Sequence, residues 1–269
     1  MALSESQKFW EKQSTNYKTA FEDLDELANY LDKTERRHLL KVVKTKPNFK
    51  VLDLGCGTGR WAFEFAKTCE KVVAVDFAKG MIDRAKEEAK NRGFTNIEFG
   101  VAGVEDFRSE ERFDIIIISG VLVYFEDENL NSILKNVKKH LAPNGIVISR
   151  ETVGIDKRLD FRDKFNPKIG QTYSALYRTP EEYKQIFLKS GLKNIYAEDF
   201  VPTNFPMTIY RKIIPSSLKQ NWALRKILQS GLLVQYFLDP ILLNQKWLYR
   251  PLMNRFWKIK SMLFVYGIN

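Results

Sequence analysis

Hydrophobic and polar positions change their rhythm twice along this chain. In residues 1–46, Trp10, Tyr17, Phe21 and Leu24 recur at helical intervals. A second helix is expected from a cap at Asp32 or Thr34, with Leu39, Leu40, Val42 and Val43 on its apolar side, ending at Lys46-Pro47-Asn48. Short apolar runs then alternate with amphipathic stretches. Strands are predicted over 50–54, 71–75, 96–101, 113–119 and 146–150, with helices over 60–68, 80–91 and 127–141 between them. Ile115 to Ile118 is an unbroken apolar run, as expected of a strand buried on both faces of a parallel sheet. A helix over 180–190 and a strand over 192–200 continue the series, and 260–268, rich in β-formers, returns as the seventh strand. The expected fold is α/β, a doubly wound, mostly parallel, seven-stranded sheet preceded by helices.

The second change comes after Phe200. Residues 203–258 are rich in Leu, Trp, Tyr and basic side chains and are broken by Pro206, Pro215, Pro240 and Pro251, so they read as short helices inserted before the last strand. The expected sheet domain is therefore 47–202 joined to 259–269. This tail is also where the charge lies: of a net +10, residues 202–269 supply ten Lys or Arg against a single acid, Asp239. Such an asymmetry speaks of a partner rather than of the fold.

Composition adds exclusions. With 44% apolar and 28% charged residues the chain reads as an ordinary globular domain. The first ten residues have no apolar core of a signal peptide, and no stretch reaches the ~18 apolar residues that span a bilayer. Cys56 and Cys69 offer neither a disulfide framework nor metal-ligand spacing. A cytoplasmic location is the default expectation, with peripheral attachment to a membrane held open.

Chemistry concentrates at Val51-Leu52-Asp53-Leu54-Gly55-Cys56-Gly57-Thr58-Gly59, where an apolar strand runs into three alternate glycines and then a helix. Glycines let backbone turn sharply and approach a ligand without an intervening Cβ. A dinucleotide fingerprint would need its third glycine at position 60, which is Arg60. Asp76 ends the next strand, where a carboxylate can accept both hydroxyls of a ribose.

VLDLGCGTG, with VVAVDFAKGM, FDIIIISGVLVYF and LAPNGIVISRE after it, closely resembles the class I S-adenosylmethionine-dependent methyltransferases over residues 47–201. The resemblance implies a Rossmann-like fold and S-adenosyl-L-methionine as cofactor. It places Gly55, Cys56, Gly57 and Gly59 along the methionine and ribose, Asp53 near the methionine amine, and Asp76 on the ribose hydroxyls. Phe77 and Met81 fall beside the adenine, and Ser119 closes over the methionine end. The acid that the family often carries after its third strand is replaced by Gly103 and Val104, leaving adenine recognition to backbone amides or Glu105. Residues 1–46 correspond to a helical lid, with Tyr17 over the cofactor.

Methyl transfer from a sulfonium is an in-line displacement, so the protein mainly supplies alignment and desolvation, worth roughly 7–11 kcal/mol in good geometry. Candidates to meet the acceptor are Tyr124, Glu151, Tyr177 and Arg178, with Glu151 as base or amine ligand and Arg178 as holder of a carboxylate or phosphate. His140, at a helix end, reads as structural and His38 as surface, which disfavours a histidine base. Neither an Asn-Pro-Pro-Tyr-type motif nor a Pro-Cys nucleophile is present, and no acid cluster of a magnesium-dependent catechol site is recognisable; no metal is expected. The acceptor is expected to be a small molecule or a lipid-linked metabolite. RNA methylation and a non-catalytic cofactor-binding module are the alternatives. For 203–258, with Trp222, Tyr236, Phe237, Trp247 and Trp257 among its basic residues, three readings stay open: a helical cap with a core or homodimer interface, attachment to an anionic membrane surface, or RNA binding.

Overall fold

A computed structural model of the chain describes residues 5–14, 25–166, 171–199, 221–244 and 259–268. By its internal contacts the chain forms two compact units, one of Met1–Tyr17, Thr45–Asp199 and Ser261–Asn269, the other of Lys18–Lys44 and Phe200–Lys260.

The first unit opens with α1 (Glu5–Gln13). Two strand–helix repeats and a third strand follow: β1 (Lys50–Leu54) and α3 (Arg60–Ala66), β2 (Lys71–Asp76) and α4 (Lys79–Asn91), then β3 (Ile97–Val101). The chain then crosses to β4 (Phe113–Ser119), a 3-10 turn over Leu122–Tyr124, α5 (Asp127–Lys139) and β5 (Leu141–Gly154). Two small antiparallel pairings come next, β6 (Leu159–Asp160) with β9 (Leu176–Tyr177) and β7 (Lys164–Asn166) with β8 (Gln171–Tyr173). The unit ends with α6 (Pro180–Lys189), β10 (Lys193–Asp199) and β11 (Ile259–Gly267).

The seven-stranded sheet runs β10-β11-β5-β4-β1-β2-β3, as the strand count of the sequence predicts. β1 pairs in parallel with both β2 and β4, β2 with β3, and β4 with β5, while β10 and β11 are antiparallel. Strand order therefore reverses between β1 and β4, and a crevice opens beyond their carboxyl ends, where α/β sheets take ligands. Ile115 to Ile118 are all fully buried, with Val51 and Leu52 beside them, which is the two-faced burial of a central parallel strand.

The start of β5 differs from expectation. Pro143-Asn144-Gly145 does not precede β5 but interrupts it. Phe113 pairs with Leu141 and Ile115 already with Ile146, so three extra residues bulge from the strand, with Asn144 in the left-handed region at φ 64°. α6 begins where its chemistry says: Thr179 and Glu182 form a reciprocal capping box with Pro180 in the first turn.

The second unit joins α2 (Asp25–Val42) to α7 (Trp222–Asn244). α2 starts earlier than the caps at Asp32 or Thr34, because nothing breaks the helix before them; Asp32 instead pairs within it with Arg36 at 2.7 Å. The stretch 1–46 is thus divided between the units. Tyr30 packs on Leu228 and Leu232, Arg225 grips the Glu26 carboxylate with two bonds of 2.9 and 2.8 Å, and Arg37 lies 4.0 Å over the Tyr236 ring. His38, read as surface, is 7% exposed.

The last strand is fixed by aromatic contact. Phe187 of α6 stacks on Tyr266 of β11 with centroids 3.8 Å apart, both fully buried. Phe187→Ala removes that stack and leaves a cavity, so it is expected to lower the unfolding free energy by about 3–5 kcal/mol, read as a lower urea midpoint.

Candidate functional site

The turn after β1 is built around three left-handed glycines, Gly55, Gly57 and Gly59, at φ 76°, 54° and 87°. A Cβ at Gly55 would sit 2.4 Å from Val121 Cγ2, and one at Gly59 2.8 Å from Phe63 Cζ, so space as well as backbone conformation requires glycine. The amides of Gly55 and Cys56 bond back to the Val75 carbonyl at 2.8 and 3.0 Å, fastening the turn to the end of β2. Asp76 finishes the fastening. One carboxylate oxygen accepts the Gly57 amide and the other the Ala78 amide, each at 2.9 Å. Burial pushes its pKa up while these two amides pull it down. Each oxygen keeps a second lone-pair site for a hydroxyl donor.

In the crevice beyond β1 and β4 lies a cavity of about 330 Å³. Gly55, Gly57 and Asp76 form its floor, Phe77, Met81 and Val104 one side, and Ser119 the end of β4. Seven of the cofactor positions expected from sequence thus meet in one cavity. Glu105 is there too, with Ala102 and Gly103. The far wall is Gly120, Val121, Tyr124, Phe125, Glu126 and Asn129, and α1 contributes Trp10, whose ring meets Tyr124 edge-on at 6.0 Å. α1 is held there by Arg84, which donates to the Ser14 carbonyl at 2.6 Å, and by the close approach of Ser14 to Gly80. Trp10 was legible as an apolar helix position but carried no sign of its role, and the loop from Gly120 to Asn129 was marked only by Tyr124. Tyr17 lies outside the described residues.

The other candidates stand back from the cavity. Asp53 accepts the Ala62 amide at 3.0 Å, tying β1 to α3, and its burial lifts its pKa to about 7. Cys56 is buried, its thiol pushed up by burial. Gly59 is the N-cap of α3. Tyr177 lies against Phe161, with centroids 5.4 Å apart.

Glu151 and Arg178 turn out to work through the wall rather than in it. Glu151, fully buried on β5, accepts the Leu122 amide at 3.3 Å. Arg178, also fully buried, donates to the Leu122 carbonyl at 3.2 Å, the Phe125 carbonyl at 2.5 Å and Asp127 at 2.7 Å. The peptide groups flanking Leu122 are thus held from both ends, and Arg178 has these donors committed to the chain rather than to an anionic acceptor. Burial pushes Glu151 up to about 8, and its Oε2 has no hydrogen-bond partner.

His140 is structural: its Nε2 accepts the Ser109 amide at 3.2 Å, its Nδ1 faces the Asn136 carbonyl at 2.9 Å, and burial lowers its pKa. Among the described residues no cluster of three or more His, Cys, Asp or Glu is placed to hold a metal ion.

Two measurements check the clamp. Arg178→Met leaves buried carbonyls without a donor and is expected to cost about 1–3 kcal/mol of stability, seen in a denaturant titration. Glu151 has a folded pKa of about 8 against 4.5 unfolded. Its share of stability is therefore fully present below pH 4.5 and is lost as pH rises through 8. Glu151→Gln has no proton to lose, so its stability deficit relative to the native chain should shrink between pH 5 and pH 8 in paired urea melts.

A family model described as a methyltransferase domain matches residues 45–199. Phosphoethanolamine N-methyltransferase 1 of Triticum aestivum is 31% identical over 182 residues, covering 66% of this chain and 35% of that protein. Malonyl-[acyl-carrier protein] O-methyltransferase of Bacillus cereus is 32% identical over 130 residues, 46% of each chain. The structure of Haemonchus contortus phosphoethanolamine N-methyltransferase 1, in complex with phosphoethanolamine and S-adenosylhomocysteine, superimposes with a TM-score of 0.54. It is 22% identical and covers 66% of this chain and 38% of that one, a likeness of fold. The chain spans about a third of the length of the plant relatives it matches. With its glycine cradle, its carboxylate at the end of β2 and a matching domain over more than half its length, this chain belongs to the S-adenosylmethionine-dependent methyltransferases.

Proposed function

We propose that this chain methylates the nitrogen of a small or lipid-linked amine held against Trp10, Tyr124, Phe125 and Glu126. The observation that carries the reading is the polarity of the cavity. Its charged lining among the described residues is Asp76, Glu105 and Glu126, with no Lys, Arg or His, and the Trp10, Tyr124 and Phe125 rings line the same cavity. Carboxylates and aromatic faces favour a cation or an amine over an anion.

The cavity fits S-adenosylmethionine by its own geometry. Gly55 and Gly57 admit a ligand where a side chain would intrude, Asp76 presents both oxygens toward hydroxyl donors, and Phe77 and Met81 offer apolar surface to a base. When bound, the cofactor would supply an electrophilic methyl group on a sulfonium, with a neutral thioether as the leaving group. The chain's share is positional. Trp10 and Tyr124 exclude water from the acceptor side, and the Glu151–Arg178 clamp fixes the loop that bears Tyr124 and Phe125. An amine attacks once its lone pair is free, so no histidine need stand in the cavity. Glu126 is engaged by Arg162 at 2.8 Å, and both are half exposed, so the pair contributes little to stability and its carboxylate can turn to an ammonium. N-methyltransferase relatives support the nitrogen acceptor; the O-methyltransferase relative marks the competing reading, which a basic lining would have favoured.

Asp76→Ala removes the ribose acceptor and is expected to weaken S-adenosylhomocysteine binding by about 1.5–3 kcal/mol, roughly ten- to a hundredfold in a calorimetric Kd. Unchanged affinity refutes the assignment. The acceptor is tested by transfer of labelled methyl into a cell extract separated into lipid, RNA, protein and small-molecule fractions. Label in an amine of the small-molecule or lipid fraction is the expected result. Label in RNA, or as a methyl ester, overturns it.

A further inference from the structure

The second unit carries a helical face that plays no part in this chemistry. α7 turns Leu228 and Leu232, each 3% exposed, toward Tyr30 of α2. Trp222, Ile227, Leu233 and Val234 fall on the other side, within an arc of roughly 140° at 3.6 residues per turn. They are 75%, 69%, 56% and 58% exposed. Isolated exposed apolar side chains are commonplace, whereas four on one helical face form a patch that marks an interaction surface. Exposed Lys226 stands on the same arc, and α7 holds no acid before Asp239.

Three occupants compete for such a face. Nucleic acid offers phosphates but no hydrocarbon for Ile227, Leu233 and Val234. A second copy offers hydrocarbon but sets a tail of ten basic residues and one acid against itself. An anionic lipid surface offers both at once: apolar depth at the headgroup boundary for the large side chains, the interfacial position that Trp favours, and phosphates for the bases. Among the described residues no helix is long and apolar enough to cross a membrane, so the contact is one of lying in the surface.

We propose that α7 seats this chain on an anionic lipid bilayer, with Trp222, Ile227, Leu233 and Val234 entering the headgroup region and Lys226 meeting the lipid phosphates. The surface needs no catalysis, so it stands or falls apart from the acceptor chosen above.

The test is sedimentation of the full chain with vesicles of phosphatidylcholine alone or mixed with phosphatidylglycerol, at about 0.1 M salt and at several times that, where surface charge is screened. Binding to the phosphatidylglycerol vesicles, weakened by salt, is expected. The double variant Ile227→Asp/Leu233→Asp should lose at least about tenfold in partitioning, since each side chain forfeits its apolar burial. Lys226→Ala should lose about fivefold, one charge near the surface. All three positions are exposed, and an unchanged helical circular-dichroism signal and urea midpoint verify that the variants fold. The proposal is overturned if neither vesicle sediments the chain or if the double variant binds as well as the native one. It is equally overturned if light scattering shows a dimer that the double variant dissolves, or if the face proves to be needed for poly(U) binding and not for lipid.

Discussion

The carboxylate of Asp76 holds the site together before any ligand arrives. It stands at the end of β2, yet it caps the amide of Gly57 in the neighbouring β1 turn and the amide of Ala78 at the start of α4. The turn after β1, the end of β2 and the start of α4 are thereby pinned at one point. Such a group must be charged to accept two amides well and buried to be useful, and those demands oppose each other in its pKa. The left-handed glycines follow from the same constraint: backbone has to pass close over a carboxylate without side chains in the way.

Around that point the far wall of the cavity is assembled from elements that owe their place to long-range contacts. The 3-10 turn after β4 has no side-chain cap of its own. It is kept by Glu151 from β5 and Arg178 just after β9, two buried ionisable groups that bracket one residue, Leu122. Buried groups of this sort are weak evidence of stability and better evidence of specification: they define where a loop must lie.

What the sequence disclosed follows this division. The sheet, its order-giving alternation and the Ile115–Ile118 core strand were legible because period and burial are local properties. The glycine cradle was legible because a strand–turn–helix motif stands in consecutive residues, and Asp76 because it ends the next strand. Glu151, at a strand end, and Arg178, on the segment leading into the next helix, drew notice as polar candidates, but sequence cannot distinguish a group facing a cavity from one facing the back of the loop that lines it. Trp10 was hidden for a related reason, since an aromatic on a helix reads alike whether it meets core or cavity. The division of residues 1–46 between two units was beyond reach, because it depends on Tyr30 finding Leu228 and Leu232 nearly two hundred positions away.

The contact between Gly55 and Val121 has a further meaning. One floor residue and one far-wall residue of the cavity touch with no room for a methyl group between them. The two sides of the cavity therefore share a hard boundary. A lineage that reshaped position 121 for a bulkier acceptor would press on the donor's seat, so new specificities in such a scaffold are freer to arise farther along the wall, toward Phe125 and Asn129.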